Sequence, residues 1–171
     1  MSSIVSIFSV LFLWWFLTGI ILYTAKRLDF GDSKTRLTVV LVTLPLFFCA
    51  WYFYFHCLDS MSYGGIFCSF LASLFIWGWV EFTFLTGVVA GIPLLEKQEI
   101  DKDSERERFI NGFRSIALNE CFLLSCLFIM TVLSIGSEIN FGLTTYLLLY
   151  VARVSAKLHL FFGVAYINVH C

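Results

Sequence analysis

The stretch WGWVEFTFLTG (residues 77–87) places one carboxylate, that of Glu81, among aromatic and aliphatic side chains with no basic residue nearby. Whether such a group can be tolerated depends on the solvent around it. Of the 171 residues, 60% are hydrophobic and only 13% are charged, and the mean hydropathy is +0.89. Soluble domains are far more polar than this. The composition therefore indicates an integral membrane protein.

Five apolar runs in the chain have the length that a helix needs to cross a bilayer. The predicted spans are residues 4–24, 37–55, 63–90, 113–133 and 139–164. The loops on one side, residues 25–36 and 91–112, are polar, and the longer one is too short and too charged to bury a core of its own. The sequence therefore predicts a single all-α transmembrane domain, a bundle of about five helices covering residues 1–171.

The basic residues predict the orientation of this bundle, because Lys and Arg in short loops are retained on the cytoplasmic side. All 11 of them lie between spans one and two, between spans three and four, or late in span five. The turns on the opposite side contain none. We therefore expect an N-out, C-in protein. The formal net charge of −1 gives no indication of a nucleic-acid partner.

Six cysteines occur without a CxxC pair, and most of them lie inside predicted spans. We interpret them as small apolar residues. A bridge between Cys57 and Cys68 is the alternative, because only these two lie near the outer face, where they could meet an oxidising compartment.

Charged residues inside the spans predict a buried polar cluster. Glu81 lies about 13 Å and Glu120 about 10 Å from the cytoplasmic ends of their spans, at 1.5 Å per residue. Arg153 and Lys157 are four residues apart on span five and share one face. Because ionisable groups in hydrocarbon face the bundle interior, we expect these four residues to meet. A packing role is the favoured interpretation, and a proton relay or ligand site is the alternative.

Other residues in or near the spans are weaker candidates for functional sites, because their sequence patterns are short or isolated. Gly87 and Gly91 form a GxxxG pattern that could mark a helix-packing face. His56 and His159 are isolated histidines, which make them weak candidates for binding a chlorin magnesium. No paired histidines with metal-ligand spacing, phosphate loop or nucleophile elbow occurs, so we predict no metal site and no catalytic residues.

Several long motifs resemble one known family. WGWVEFTFLTGVVAGIP (residues 77–93), ERERFINGF (residues 105–113), Glu120 and TYLLLYVARVSAKLHLFFGV (residues 145–164) are similar to the photosynthetic complex assembly protein 2 family, the PuhE-like membrane proteins of purple phototrophic bacteria. WWFLTGIILY (residues 14–23) resembles that family's first helix. The resemblance covers most of the chain in the same order.

This resemblance implies a role in assembling the photosynthetic reaction centre and core light-harvesting antenna, in the inner, intracytoplasmic photosynthetic membrane of a bacterium. It implies no known reaction. Val80 and Asn119 stand where the family tends to have His before each membrane Glu, and His159 stands where it usually has Asn. Family members continue beyond the SAKL helix, so the chain looks C-terminally shortened.

Three functions follow as expectations. The first is a non-enzymatic assembly factor or small accessory subunit that contacts the reaction centre or core antenna within the lipid bilayer. The second is a protein that handles bacteriochlorophyll or carotenoid. The third is an intramembrane enzyme acting on an isoprenoid or tetrapyrrole, with Glu81 and Glu120 as acid and base.

Overall fold

The computed structural model describes residues 3–29, 33–58, 60, 62–88, 105–137 and 140–167, and within these ranges the backbone is helical with no strand. The five helices are α1 (Ser3–Asp29), α2 (Ser33–Cys57), α3 (Tyr63–Leu85), α4 (Glu105–Leu133) and α5 (Phe141–Ile167). Four of them, α1 to α4, are long and apolar enough to cross a membrane. The predicted all-α membrane fold is thereby confirmed, and the chain is a multi-pass membrane protein.

The helices differ from the predicted spans mainly at their ends. α4 begins at Glu105, well before residue 113, because charged residues such as those of ERER are good helix formers outside the bilayer. The loop predicted over 25–36 is largely helical for the same reason, since α1 continues to Asp29 and α2 starts at Ser33. Hydropathy marks where a chain leaves the membrane, whereas backbone hydrogen bonding continues beyond that point.

The third helix is shorter than the predicted span over 63–90. It ends at Leu85, Thr86 is its C-cap, and Gly87 follows with φ 71°. This left-handed conformation is the usual way for glycine to terminate a helix. A GxxxG packing face requires both glycines to lie on one helix. Gly87 lies just beyond the end of α3, and Gly91 lies outside the described residues.

α3 is the central helix of the bundle, since it packs against α1, α2, α4 and α5. Half of the residues in its most apolar window are buried inside the protein, against 6% for α1. The main core joins Tyr54, Ile76, Leu123, Met130 and Tyr146 from four helices. α1 stays at the periphery, where most of its large side chains are exposed.

A second, smaller core joins α1, α2 and α3 near the end of α3. Leu28, Val40 and Phe82 pack together where α1, α2 and α3 come close. We call the end of the bundle at which this core lies the basic end, because the end of α1, the starts of α2 and α4 and the later part of α5 carry basic residues. The basic residues in the described ranges are Lys26, Arg27, Lys34, Arg36, Arg106, Arg108, Arg114, Arg153 and Lys157.

The other end carries a disulfide, and we call it the bridged end. Cys57, the last residue of α2, is bonded to Cys68 in α3, with the two Cα atoms 6.2 Å apart. The interpretation of all cysteines as small apolar residues is therefore wrong for this pair. Cys49, Cys121 and Cys126 are free thiols, in agreement with that interpretation. Composition could not distinguish the two cases, because pairing depends on the tight turn between α2 and α3.

Candidate functional site

The four charged residues singled out in the sequence lie together between α3, α4 and α5. The guanidinium of Arg153 is ion-paired with the carboxylate of Glu81, and its Nε lies 3.6 Å from Glu120 Oε1. Lys157 Nζ contacts the same Glu120 oxygen. The order Glu81, Arg153, Glu120, Lys157 thus alternates in sign, and we call these residues the ionic cluster.

Burial decreases along the ionic cluster from the centre of the bundle outwards. The side chains of Arg153 and Glu81 are 10% and 15% exposed, that of Glu120 24%, and that of Lys157 43%. The formal charges sum to zero. Such compensation is what a low-dielectric site requires, because an unpaired buried charge costs several kcal/mol.

Neutral side chains complete the surroundings of the ionic cluster. Tyr150 donates its hydroxyl to Glu120 Oε2 at 3.3 Å. The side-chain amide of Asn119 is oriented with its oxygen towards Arg153, because only this orientation satisfies its hydrogen bonding. The amide oxygen then accepts a hydrogen bond from Arg153 Nη1 at 3.2 Å. The guanidinium also lies 5.9 Å from the centroid of the Phe84 ring, within the range of a cation–π contact.

Helical spacing explains why these groups meet. Tyr150, Arg153 and Lys157 follow one another at intervals of three and four residues on one face of α5. Asn119 is fully buried beside Glu120 on α4. The sequence reasoning missed Asn119 and Tyr150 as members of the site. Their polarity next to charged residues within an apolar run was the available signal.

Chemically, the ionic cluster ties three helices together. Each carboxylate has a cation as a partner, and Glu120 has two. A general base or a metal ligand needs a free lone pair that faces a substrate or an ion. In the described part of the chain, no group of three or more His, Cys, Asp or Glu residues could hold a metal ion.

The two candidate histidines lie far apart along the chain and outside the ionic cluster. His56 is exposed near the bridged end of α2, with its ring centroid 4.5 Å from that of Tyr52. His159 is exposed on α5, two residues beyond Lys157. Among the residues that the structure describes, neither histidine is paired with the other or with a carboxylate.

The close helix contact lies at the bridged end, between α3 and α5. A Cβ atom added to Gly142 would lie 2.5 Å from Ser69 Oγ, 2.7 Å from Ser73 Oγ and 2.7 Å from Tyr54 Cε2. Ser69 and Ser73, four apart on α3, thus form the small-residue surface that receives α5. The predicted packing face at Gly87 and Gly91 stays a prediction, because Gly91 lies outside the described residues. Serines at helical spacing opposite a glycine were the signal in the sequence.

Polar side chains also join the helices at the bridged end. The hydroxyl groups of Tyr54 and Ser134 are 2.9 Å apart, which links α2 to the turn after α4. Tyr146 donates its hydroxyl to the carbonyl oxygen of Leu123 at 3.1 Å. Buried tyrosines in a membrane bundle need such partners, because lipid offers none.

Two apolar grooves run along the surface of α3. One, of about 190 Å³, lies between α1, α2 and α3 and includes Leu17, Thr43 and Gly78. The other, of about 390 Å³, lies between α2 and α3 towards the bridged end and includes Cys49 and Cys68. Leu46 and Phe75 line both, so the two grooves are adjacent.

Comparison with known proteins places the sequence in context. Residues 1–171 match a family described as "Protein of unknown function (DUF3623)". A protein of Rhodobacter capsulatus, described as "Uncharacterized 30.4 kDa protein in puhA 5'region", is 37% identical over 160 residues. The match covers 94% of this chain and 58% of the relative, so the chain spans less than two thirds of that protein's length. No solved structure matches the sequence.

Proposed function

The chain belongs to the DUF3623 family, and from that premise we propose that it is a non-enzymatic membrane protein of the bacterial photosynthetic apparatus. The observation that carries this proposal is the relative in the puhA 5′ region of Rhodobacter capsulatus, which points to a photosynthesis-related role. The motifs that resemble photosynthetic complex assembly protein 2 support the same assignment. Its membrane is accordingly the bacterial inner membrane, including its intracytoplasmic extensions.

The ionic cluster supports a structural role for the buried carboxylates. Glu81 and Glu120 are each neutralised by a basic side chain from α5. This pairing favours a rigid scaffold over the alternative of an intramembrane enzyme that would use these acids as proton donor and acceptor. A scaffold of fixed helix positions is what a protein needs in order to present one surface to a partner.

α1 provides the surface best suited to a partner within the membrane. Phe12, Trp14 and Trp15 lie near the middle of this helix and point outwards, with exposed fractions of 58%, 43% and 68%. Trp is usually enriched at the membrane interfaces rather than at mid-depth. Large aromatic side chains contribute much of the contact area where proteins meet. We therefore propose that α1 contacts transmembrane helices of the reaction centre or core antenna.

Affinity purification from phototrophically grown cells tests this function. The full-length protein would carry a terminal tag, and the bound proteins would be identified and counted against reaction-centre subunits. We expect capture of reaction-centre or core-antenna subunits and a reduced yield of the complex in a deletion strain. Stoichiometric capture from mature membranes would define a subunit, and capture only during induction an assembly factor. Normal complex yield without any such capture would contradict the proposal.

Handling of bacteriochlorophyll or carotenoid is the second candidate, and the two adjacent grooves favour it. Their lining is almost entirely apolar and includes Phe47, Phe75 and Trp79. An absorbance band that copurifies with the protein and is lost on substitution of His56 or His159 would support ligation of a chlorin. A band that survives both substitutions but is lost when groove residues are enlarged would support a carotenoid.

A further inference from the structure

The disulfide at the bridged end indicates which side of the membrane that end faces. Cys57 and Cys68 are separated by 11 residues and enclose the tight turn between α2 and α3. Disulfides form and persist in oxidising compartments, whereas the bacterial cytoplasm keeps thiols reduced. The three unpaired cysteines of the described chain, Cys49, Cys121 and Cys126, all lie within helices.

The distribution of basic residues gives a second, independent indication. The turns at the bridged end, residues 58–62 and 134–140, contain no Lys or Arg. The basic end has Lys26 and Arg27 in the last turn of α1 and Lys34 and Arg36 at the start of α2. Basic residues in short loops remain on the cytoplasmic side. The distribution of basic residues and the disulfide therefore both indicate that the bridged end faces away from the cytoplasm.

From these two observations we infer that the bridged end faces the oxidising periplasmic side and that the Cys57–Cys68 bond is formed there by thiol–disulfide exchange. The oxidant is the disulfide of a periplasmic thiol–disulfide oxidoreductase. The two cysteine thiols lose two protons and two electrons as the new Sγ–Sγ bond forms. The oxidant's disulfide takes up both electrons and both protons and becomes a dithiol.

The bond acts on a turn that is already closely packed. Ser62 caps α3 by accepting from the backbone N–H of Gly65 at 3.1 Å, and the hydroxyls of Ser60 and Ser62 lie 3.0 Å apart. A Cβ atom on Gly65 would overlap the side chain of Ser60. The bridge therefore holds the ends of α2 and α3 together beside the larger groove, whose lining includes Cys68.

This assignment places the rest of the molecule. The N-terminal end of α1 lies on the periplasmic side, and the ionic cluster lies towards the cytoplasmic side. Exposed Lys157 then approaches the cytoplasmic headgroups, where a lysine side chain can reach water while its stem remains in hydrocarbon. The inference rests on the bacterial inner-membrane location of the proposed function but not on a photosynthetic partner.

The test counts free thiols in the full-length protein before and after reduction. Cells are quenched in acid, and the denatured protein is alkylated with a maleimide that carries a polyethylene glycol chain. Since two of the six cysteines form the bridge, we expect two more adducts after reduction than before it. Cys49→Ser should lower both counts by one. Cys57→Ser should give equal counts before and after reduction. Six adducts without reduction in the wild-type protein would overturn the inference.

Accessibility then identifies the compartment. In intact spheroplasts, a membrane-impermeant reductant followed by an impermeant maleimide should label Cys57 and Cys68, whereas Cys57→Ser/Cys68→Ser should lose this label. A strain without its periplasmic thiol–disulfide oxidoreductase should yield six free thiols. A bridge that is reduced and labelled only in inverted membrane vesicles would place this end in the cytoplasm and would refute the assignment.

Discussion

Arg153 on α5 is ion-paired with Glu81 on α3, and both side chains are largely withdrawn from the surface. This contact joins the central helix to the last one across a low-dielectric interior. Truncating one member of such a pair leaves the other charge unpaired, which costs more than the intact pair contributes. The pair is therefore a sensitive point in the fold.

We predict that Arg153→Leu lowers the free energy of unfolding by about 3 kcal/mol or more, because it leaves the buried carboxylate of Glu81 without its cation. Glu81→Leu should cost less, because Arg153 keeps Glu120 as a partner at 3.6 Å. The double variant should be more stable than either single variant. The free energy of unfolding of each variant is measured by titrating the detergent-solubilised protein with sodium dodecyl sulfate and following the loss of its helical circular dichroism signal. Lys157→Met is the control, since Lys157 is 43% exposed and its loss should have a smaller effect. Equal stability of all four variants and the wild type would contradict a structural role for the cluster.

Gly142→Ala should destabilise the bundle by about 1–3 kcal/mol, the usual cost of an added group in a tightly packed contact. The new methyl group would meet Ser69, Ser73 and Tyr54, so α5 must move away from α3. Gly19→Ala is a matched control, because a Cβ atom at that position of α1 has no neighbour within 4 Å. The control should equal or exceed wild-type stability, since Ala favours helix. The same denaturant titration distinguishes the two variants, and a neutral Gly142→Ala would show that the contact is looser than described.

Two tryptophans on either side of Gly78 should respond differently to replacement by Phe. Trp79 donates its indole N–H to Thr43 Oγ1 at 3.2 Å, so Trp79→Phe removes a hydrogen bond between α3 and α2. The buried N–H of Trp77 has no partner among the described residues, so Trp77→Phe removes none.

We expect Trp79→Phe to lower the free energy of unfolding by about 0.6 kcal/mol more than Trp77→Phe does, because this is the average contribution of a hydrogen bond between helices in a membrane protein. A double-mutant cycle with Thr43→Val isolates this difference. A coupling of zero between positions 79 and 43 would contradict the hydrogen bond.

Gly87 has a positive φ, which Asn tolerates far better than a β-branched residue does. Gly87→Asn should therefore retain nearly wild-type stability, whereas Gly87→Val should lower the free energy of unfolding by about 1–2 kcal/mol. A GxxxG packing contact would behave differently, since both side chains would obstruct an approaching helix. Thermal unfolding of the two purified variants, followed by circular dichroism, separates these roles. Similar losses in both would restore the packing interpretation.

The membrane fold could be predicted from the sequence because apolar runs and charge placement are local properties. The meeting of Glu81 with Arg153 could be anticipated for a related reason, since a charge in hydrocarbon has few alternatives to facing another charge. The end of α3 could not be read from hydropathy. Residues 86–90 are apolar enough to continue a span, but Gly87 adopts a conformation that stops the helix.

Contacts that depend on shape were harder to foresee. The contact of Gly142 with Ser69 and Ser73 depends on how α3 and α5 are each rotated about their axes. A single sequence does not specify these rotations. The disulfide likewise depends on how closely Cys57 and Cys68 approach across a turn. Asn119 was overlooked because its partner, Arg153, lies on the next helix, α5, and the rotation of α5 towards α4 is not visible in the sequence. In each case the deciding quantity is a distance between helices.

The central position of α3 has a consequence for biosynthesis. Ribosomes release Glu81 into the insertion machinery before Arg153 has been translated, so the nascent third helix carries an acid whose counter-ion does not yet exist. Until α5 arrives, that carboxylate must be protonated, hydrated or retained near the translocation channel. The finished position of α3 among its neighbours is therefore reached only after the last helix has been made, and we expect chains that stop before Arg153 to be less stable in the membrane.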